Sequence, residues 1–360
     1  MAQIDAFFKM LHENGGSDLH LSSGSQPIVR IRGELQRVKF KVMEHDELKQ
    51  LLYEITPEEK IKIFEETGDV DFGYEVPNLA RYRSNYFLQC RGIAAVFREI
   101  PEKILTIEQL GLPPLLKQLA LLPKGLVLVT GPTGSGKSTT LAAIVDHANA
   151  MRKDHILTIE DPIEFVHTPK SCLVNQRELG RDTKSFKNAL RGALREDPDI
   201  ILVGEMRDLE TIQLALEAAE TGHLVFSTLH TISAPKTVDR IIEVFPGDLQ
   251  EQIRNALSES LRCVIAQSLF RRIDVPGRCA ALEILIGVPA VRNLIRENKA
   301  FQLTSVIEMG KNKGMQSLDD EIRKFVEKKM IDPDDAYNKC VEKKKFKQYL
   351  TKPPDDFTEQ

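Results

Sequence analysis

The first hundred residues contain short runs in which hydrophobic and polar positions alternate. Leu19 and Leu21 alternate with polar neighbours, and an apolar run at 28–31 leads into a turn at Gly33. Alternation with a period of two is typical of half-buried strands, because successive side chains point to opposite faces. The same extended pattern returns over residues 70–74, 80–89 and 93–100. These runs predict a sheet.

Two helical patterns interrupt the predicted strands. One runs from Asp46 to about Glu54, and the other opens at Thr56. Pro57 suits a first helical turn, and Glu59 follows Thr56 at the spacing of a capping box, so we expect Thr56 to cap this helix. Together the strands and helices predict a mixed α/β domain at the start of the chain.

The pattern changes after a segment rich in proline and glycine near residues 101–114. Short apolar runs at 126–129, 155–159, 199–203 and 224–227 alternate with helical stretches, which is typical of a parallel sheet covered on both faces. After Pro289 helical periodicity takes over. We therefore expect an N-terminal domain at 1–101, a linker at 102–112, an α/β core at 113–289, a helical region at 290–352 and a disordered tail at 353–360.

Composition narrows the class of protein. Lys and Arg number 49 and Asp and Glu 53, giving a net charge of −4, and the charges are interspersed, which disfavours a nucleic-acid-binding protein. The five cysteines are widely spaced without a C-x-x-C pair, so neither a disulfide framework nor a zinc site is indicated. No stretch approaches the roughly 18 apolar residues of a membrane span, and the N-terminus lacks a signal-peptide pattern. We expect a cytoplasmic protein.

A complete phosphate-binding loop follows the first of the core strands. It consists of Gly131, Pro132, Thr133, Gly134, Ser135, Gly136, Lys137, Ser138 and Thr139. In this motif the glycines let backbone N–H groups face the phosphates, the lysine (here Lys137) neutralises the β- and γ-phosphate oxygens, and the serine (here Ser138) binds Mg²⁺. The sequence therefore predicts binding of ATP with Mg²⁺.

Polar residues follow three further predicted strands. Glu164 comes shortly after the second strand and Glu205 directly after the third, while His223 and His230 flank the fourth. Since ligands bind at the carboxyl ends of parallel strands, carboxylates there can orient water or hold Mg²⁺. Taken alone, such acids are commonly surface charges and a lone histidine is commonly a satisfied polar group; behind a phosphate loop we favour catalytic acids and expect γ-phosphate contacts from the histidines.

Three arginines of the N-terminal domain form a second candidate group. Arg81 and Arg83 share one face of a predicted strand, and Arg98 lies on the next. Arginine suits phosphate or subunit contacts because it keeps its charge and spreads its donors. From spacing alone, a solvated sheet face is the favoured alternative.

Several motifs resemble the secretion ATPase superfamily, and in particular the PilT family of type IV pilus retraction ATPases. They include the segments at 17–21, 180–191, 204–211 and 314–319, together with the four strand-end segments described above. The resemblance covers nearly the whole chain. It implies a RecA-like P-loop ATPase domain with an N-terminal PAS-like α/β domain and a small C-terminal helical region, assembled as a homohexamer.

Residue roles follow from the same resemblance. Glu164 matches the catalytic glutamate that activates water, Glu205 the Walker B residue that binds Mg²⁺ directly or through water, and His230 the His-box phosphate contact. The three arginines fall where family members reach nucleotide, partly across subunits. The resemblance also implies a partner, the inner-membrane pilus platform protein, with membrane contact only through such partners at the cytoplasmic face and no direct nucleic-acid contact.

The segment from Ala290 to Glu297 resembles the family motif AIRNLIRE, which is associated with retraction rather than with hydrolysis, and Val291 replaces its isoleucine. The alternative is a plain amphipathic helix with Val291, Leu294 and Ile295 inside. Three other functions stay open: an accessory PilU-like paralogue, a pilus-assembly or type II secretion ATPase, and a nucleic-acid-stimulated RecA-like motor. The second usually carries a zinc-binding cysteine insertion that this sequence does not show.

Overall fold

The computed structural model describes residues 2–31, 33–100 and 103–350. The tail predicted to be disordered, 353–360, lies outside the described residues. The described residues form two compact units, and each is a mixed α/β assembly with its own core. The expected α/β fold class is confirmed.

The boundary between the units follows Lys103. The first unit contains the described part of the first 103 residues and one later segment, Pro162–Val166, while the rest belongs to the second unit. Within the segment expected to be a linker, Ile107 and Leu112 are buried in the core of the second unit. The first unit is therefore not one continuous stretch of the sequence, because the five residues Pro162–Val166 pack with it.

The first unit is an antiparallel sheet with three helices. Its strands are β1 (Gly16–Ser22), β2 (Ile28–Ile31), β3 (Glu34–Arg37), β4 (Asp69–Val76), β5 (Ala80–Gln89) and β6 (Gly92–Ile100). Its helices are α1 (Asp5–Glu13), α2 (His45–Tyr53) and α3 (Glu58–Thr67). The spatial order of the strands is β3-β2-β1-β6-β5-β4. The predicted strands and the two predicted helices are confirmed, whereas the sequence patterns did not identify α1.

One face of this sheet holds the core of the first unit. Tyr82 and Tyr86 of β5 are fully buried there, and Tyr82 stacks on Phe8 of α1 with ring centroids 4.2 Å apart. Side chains alternate along a strand, so Arg81 and Arg83 point to the opposite face. The alternation that predicted the strand therefore also separates its arginines from its aromatic core.

The predicted capping box at the start of α3 is wrong. The residue that precedes α3 is Pro57, and its side chain offers no hydrogen bond. Thr56 is buried, and its hydroxyl donates instead to the Leu52 carbonyl at 2.7 Å and lies 3.1 Å from the Tyr86 hydroxyl. Both contacts are made at the end of α2 and in the core, so Thr56 closes one helix rather than beginning the next.

The second unit is built on a seven-stranded sheet. Its strands are β7 (Gly125–Thr130), β8 (His155–Glu160), β9 (Leu173–Glu178), β10 (Ile200–Val203), β11 (Leu224–Leu229), β12 (Leu261–Arg271) and β13 (Arg278–Ile286). The helices among them are α4 (Leu115–Ala120), α5 (Lys137–Met151), α6 (Phe186–Ala193), α7 (Leu209–Thr221), α8 (Ala234–Glu243) and α9 (Gln250–Ser260). The spatial order is β13-β12-β7-β11-β10-β8-β9, parallel except for β13.

Both faces of this sheet are buried. On β7, Leu126 and Leu128 pack into one hydrophobic cluster, and Val127 and Val129 pack into another on the opposite side. Burial on both faces explains why the four predicted strands read as continuous apolar runs. The sequence patterns did not identify β9, β12 and β13. The predicted parallel sheet is confirmed for β7 to β12, and β13 adds one antiparallel strand at its edge.

Helices follow the last strand, as expected. They are α10 (Pro289–Arg296), α11 (Leu303–Met309), α12 (Leu318–Glu327), α13 (Pro333–Lys339) and α14 (Lys343–Phe346), with short 3-10 turns at Ala300–Gln302, Lys311–Lys313 and Lys347–Tyr349. Leu318, Ile322 and Val326 of α12 are buried together against Phe270 of β12. Across the described part of the chain, no helix combines the length and the apolar character that a bilayer crossing needs.

Candidate functional site

The phosphate loop lies between β7 and α5, as the sequence predicts. Gly131 and Gly136 have φ angles of 142° and 86°, in the region that favours glycine. A Cβ atom on Gly131 would also lie 2.4 Å from the Gln267 carbonyl oxygen. Both positions therefore require glycine. At Gly136 the reason is the backbone conformation, and at Gly131 it is the backbone conformation together with the close approach of Gln267.

Lys137 begins α5 and folds back over the loop. Its Nζ donates to the carbonyl oxygens of Gly131 and Pro132, at 2.9 and 3.1 Å. Among the described residues no side chain caps the N-terminus of α5, whose residue before the first turn is Gly136. The N–H groups of a first helical turn have no partner within the helix, and next to a held ammonium group they form a site suited to an anion such as phosphate.

Strand register brings the other candidates to this edge of the second unit. Thr130, just before the loop, pairs with Leu229, just before His230. Ser227 of the same strand pairs with Val203, two residues before Glu205. Thr228 then holds the turn after β10, since its hydroxyl donates to the Gly204 carbonyl at 2.6 Å. The loop, His230 and Glu205 therefore share the carboxyl edge of three adjacent strands.

Glu205 joins the candidates into one polar cluster. One carboxylate oxygen lies 3.0 Å from His230 Nε2, and the other lies 2.8 Å from Arg207 Nε. Arg207 also approaches Asp161, with 4.0 Å between Nη1 and the carboxylate. The Glu205 side chain is only 19% exposed. A half-buried carboxylate with two charged or polar neighbours is preorganised to bind a cation or orient a water at the loop.

His223 does not join this cluster. It precedes β11, and its backbone carbonyl accepts from Gly125 N at the beginning of β7. Its Nδ1 lies 2.9 Å from the Ala218 carbonyl oxygen. His223 therefore occupies the amino edge of the sheet, one strand length from the phosphate loop. Parallel strands present their two ends at opposite edges, so the structure does not bring His223 to the phosphate loop of its own chain, and its nucleotide contact stays a prediction.

Glu164 lies in the segment that packs with the first unit. It is exposed, while its neighbour Ile163 is buried. The catalytic role of Glu164 stays a prediction.

The three predicted arginines lie on one face of the first unit's sheet. Arg83 of β5 pairs directly with Arg98 of β6, and Arg81 lies two residues along the same strand. Arg98 Nε donates to Asp18 at 2.8 Å, and Arg83 Nε lies 3.7 Å from Asp71. The cross-strand arginine pair is thus partly neutralised by acids of neighbouring strands.

Asp18 is the acid that most constrains this face. Burial acts to raise its pKa, but hydrogen bonds from Ser17 and Arg98 outweigh burial and hold the pKa of Asp18 below its usual value. Asp18 therefore stays charged at neutral pH. Any anion that takes Arg98 as a ligand must compete with this carboxylate.

Sequence reasoning missed two residues of the second unit. Arg207, the partner of Glu205, belongs to the motif at 204–211, but the motif alone did not predict its contact with the Glu205 carboxylate. Gln267 of β12 was not recognised at all, although it is buried and its side chain contacts the phosphate loop. Its signal was present in the sequence, because a glutamine within the apolar run from Cys263 to Phe270 is unusual for a buried strand.

A pocket of about 540 Å³ is lined in part by residues 132–135 of the phosphate loop. Leu269, Leu318 and Val341 supply apolar walls, and Lys339 lies at the same pocket. This volume is in the range that holds a nucleotide-sized ligand. No group of three or more metal-binding side chains was found in the described ranges.

Comparisons with known proteins agree with this geometry. The sequence profile of the family described as "Type II/IV secretion system protein" matches residues 2–336. The chain is 56% identical to the type IV pilus retraction ATPase PilT of Pseudomonas aeruginosa, over 91% of this chain and 95% of that protein. It is 53% identical to a twitching motility protein of Neisseria gonorrhoeae, over 86% of this chain and 83% of that protein.

A solved structure has the same fold. The crystal structure of the pilus retraction motor PilT with bound ADP matches with a TM-score of 0.88 and 44% sequence identity. The match covers 97% of this chain and 99% of that one.

Proposed function

The chain belongs to the Type II/IV secretion system protein family and, within it, to the PilT family of retraction ATPases, and we propose that it hydrolyses ATP to drive type IV pilus retraction. The observation that carries this proposal is the meeting of the phosphate loop, Glu205 and His230 at one edge of the sheet. A phosphate cradle next to a held carboxylate supplies the positioning and the polar groups that phosphoryl transfer to water uses. The likeness to retraction ATPases supplies the output, which is movement of a pilus.

In this proposal the phosphate loop holds the triphosphate of ATP. Lys137 neutralises charge on the β- and γ-phosphates, and the N–H groups at the start of α5 bind their oxygens. Ser138 and Glu205 would hold Mg²⁺, which supplies further charge neutralisation when bound. His230 would contact the γ-phosphate. Its Nε2 lies 3.0 Å from the carboxylate of Glu205, so the two side chains are neighbours in the site.

We assign the attack step to Glu164, which would accept a proton from the hydrolytic water. Arg81, Arg83 and Arg98 would contact phosphates, partly from a neighbouring subunit. Their placement on one sheet face and their permanent charge support this role. Asp18 and Asp71 then serve as competing acids that keep the arginine side chains ordered when no nucleotide is bound.

The assembly and setting are also proposals. We infer a homohexamer of cytoplasmic subunits, each with a PAS-like N-terminal domain, a RecA-like core and a C-terminal helical region within the boundaries predicted above. The ring would act on the pilus platform protein at the cytoplasmic face of the inner membrane. Differential affinity for ATP and ADP would then drive opening and closing of the subunits.

Changes at α10 should separate hydrolysis from retraction. Val291 and Ile295 of this helix are buried, whereas Leu294 is half-buried and Arg292 donates to the Gly287 carbonyl at 3.0 Å. We expect Leu294→Ala or Arg292→Ala to leave ATP turnover of the purified protein near the wild-type rate while stopping retraction in cells. The reason is that α10 contributes no side chain to the cluster at the phosphate loop.

The control for this prediction is Val291→Ala in the same helix. It opens a cavity in the core and should lower the melting temperature, which the Leu294 change should do less. A parallel fall of hydrolysis and retraction in both the Leu294 and the Arg292 variants would mean that α10 is only a structural helix.

Purified protein tests the enzymatic part of the proposal. We expect Mg²⁺-dependent release of phosphate from ATP that is unchanged by added DNA or RNA. Stimulation by nucleic acid that disappears at high salt would instead favour a nucleic-acid motor.

A further inference from the structure

A buried glutamine connects the phosphate loop to a strand far away in the sequence. Gln267 lies on β12, and its neighbour Ala266 pairs with Thr130, the last residue before the loop. The Gln267 side chain is only 3% exposed. Burial of an amide costs free energy unless its hydrogen bonds are satisfied, so both of its polar atoms need partners.

Both partners of Gln267 belong to the phosphate-binding segment. Its Nε2 donates to the Ser135 carbonyl at 2.6 Å, and its Oε1 accepts from the Thr140 hydroxyl at 2.7 Å. Ser135 is in the middle of the loop, and Thr140 is in the first turn of α5. One side chain therefore ties the loop to the helix that follows it.

The bond to Ser135 sets the direction of the next N–H group in the loop, that of Gly136. A trans peptide is planar, and its C=O and N–H point in opposite directions. Holding the Ser135 carbonyl towards β12 consequently turns the N–H of Gly136 away from β12. Gly136 has a positive φ and, as glycine, few intrinsic restraints, so this peptide needs an external one.

The same strand limits the loop sterically. A Cβ atom on Gly136 would lie 2.9 Å from Gln267 Nε2, and one on Gly131 would lie 2.4 Å from the Gln267 carbonyl oxygen. Main chain and side chain of Gln267 therefore both contact the glycines of the loop. These contacts are so close that a change of side chain at position 267 should alter the conformation of the loop.

We infer that Gln267 is a positioning residue of the nucleotide site, which holds the phosphate loop in its binding conformation by bridging Ser135 and Thr140. This inference rests on the proposed function, because it concerns the affinity of that site for nucleotide. Gln267 does not touch phosphate itself. It acts through the loop whose backbone N–H groups do.

The test compares Gln267→Glu with wild type by titrating the full-length protein with a fluorescent ADP analogue at several pH values. An ionised glutamate cannot donate to the Ser135 carbonyl, whereas a protonated one can, and burial raises the pKa of a carboxyl group. We expect the variant to bind about 10- to 100-fold more weakly than wild type at pH 8, and this ratio to shrink at pH 6. Taking the ratio of the two dissociation constants at each pH cancels the effect of protonation of the nucleotide's own phosphates.

Two more variants separate positioning from general stability. Gln267→Met keeps the shape without hydrogen bonds and should weaken binding at every pH. The matched control is Gln316→Met, which removes a bond of 2.8 Å from a glutamine to the carbonyl of Leu282 on β13, the strand on the other side of β12 from β7. It should leave the dissociation constant unchanged.

The outcomes distinguish the inference from the proposed function. Wild-type affinity and a wild-type pH profile in folded Gln267→Glu and Gln267→Met would overturn the positioning role while leaving the ATPase proposal intact. If wild type itself bound no nucleotide, the proposed function would fail first. Should the Gln267 variants not fold, Thr140→Val decides: a several-fold weaker affinity at an unchanged melting temperature supports the bridge, and unchanged affinity refutes it.

Discussion

Lys137→Ala is expected to reduce ATP hydrolysis by about 10²–10³-fold or more, since loss of one preorganised charge-stabilising donor has effects of this size. Lys137 is the cation that the loop holds in place, through its contacts with the Gly131 and Pro132 carbonyl oxygens. Without it, negative charge developing on the transferred phosphate loses its nearest fixed countercharge. Steady-state phosphate release by the purified protein measures the effect.

Lys124→Ala is the matched control for Lys137→Ala. Lys124 is an exposed lysine that precedes the opposite end of β7, so its removal changes the net charge equally but leaves the loop untouched. We expect its turnover to equal that of wild type. Retention of substantial hydrolysis by Lys137→Ala, with a normal melting temperature, would mean that the loop is not the catalytic phosphate cradle.

Glu164→Ala should abolish turnover through a different step. If Glu164 accepts the proton of the attacking water, its removal lowers kcat by about 10²–10⁴-fold, the usual contribution of a general base. Nucleotide affinity should be preserved, because the groups that hold the phosphates belong to the loop. Single-turnover hydrolysis together with equilibrium binding of ADP separates the two quantities.

The control for Glu164 is Glu66→Gln, an exposed acid on α3 of the same unit. It should behave as wild type. Wild-type turnover in Glu164→Ala would remove this residue from the chemistry and leave Glu205 as the remaining candidate for orienting water. A loss of binding in parallel with turnover would indicate that Glu164 supports the fold or the nucleotide rather than the water.

Much of the second unit could be predicted from sequence for a physical reason. Strands buried on both faces read as apolar runs, and β7 and β11 were found in this way. The phosphate loop is one continuous segment whose glycines and lysine act as neighbours in the chain. Local patterns of this kind can be recognised in the sequence without knowledge of tertiary contacts.

Other features depended on contacts between distant segments. Gln267 lies more than a hundred residues after the loop that it contacts, with a separation of 132 positions from Ser135. Thr56 has the local pattern of a helix cap, but the carbonyl at the end of α2 and a buried tyrosine hydroxyl compete for its hydroxyl more effectively. A local bond to the preceding helix and a tertiary contact with Tyr86 thus replace the predicted cap.

His223 lies at the edge of the sheet opposite the phosphate loop. The residue comes immediately before β11, and ligands of parallel sheets bind where strands end, so its position in the sequence already argued against a phosphate contact. His230 follows the same strand and does reach the cluster. Reading each polar residue by the end of the strand it flanks would have separated the two histidines.

The central claim, that this chain converts ATP hydrolysis into pilus retraction, is tested most directly by imaging labelled pili in cells where it is the sole retraction ATPase. We predict repeated extension and retraction with the wild-type chain, and extended pili that do not retract with Lys137→Ala expressed at the same level. Absence of retraction with the wild-type chain, under conditions in which the purified protein hydrolyses ATP, would contradict the account and assign the hydrolysis to another task.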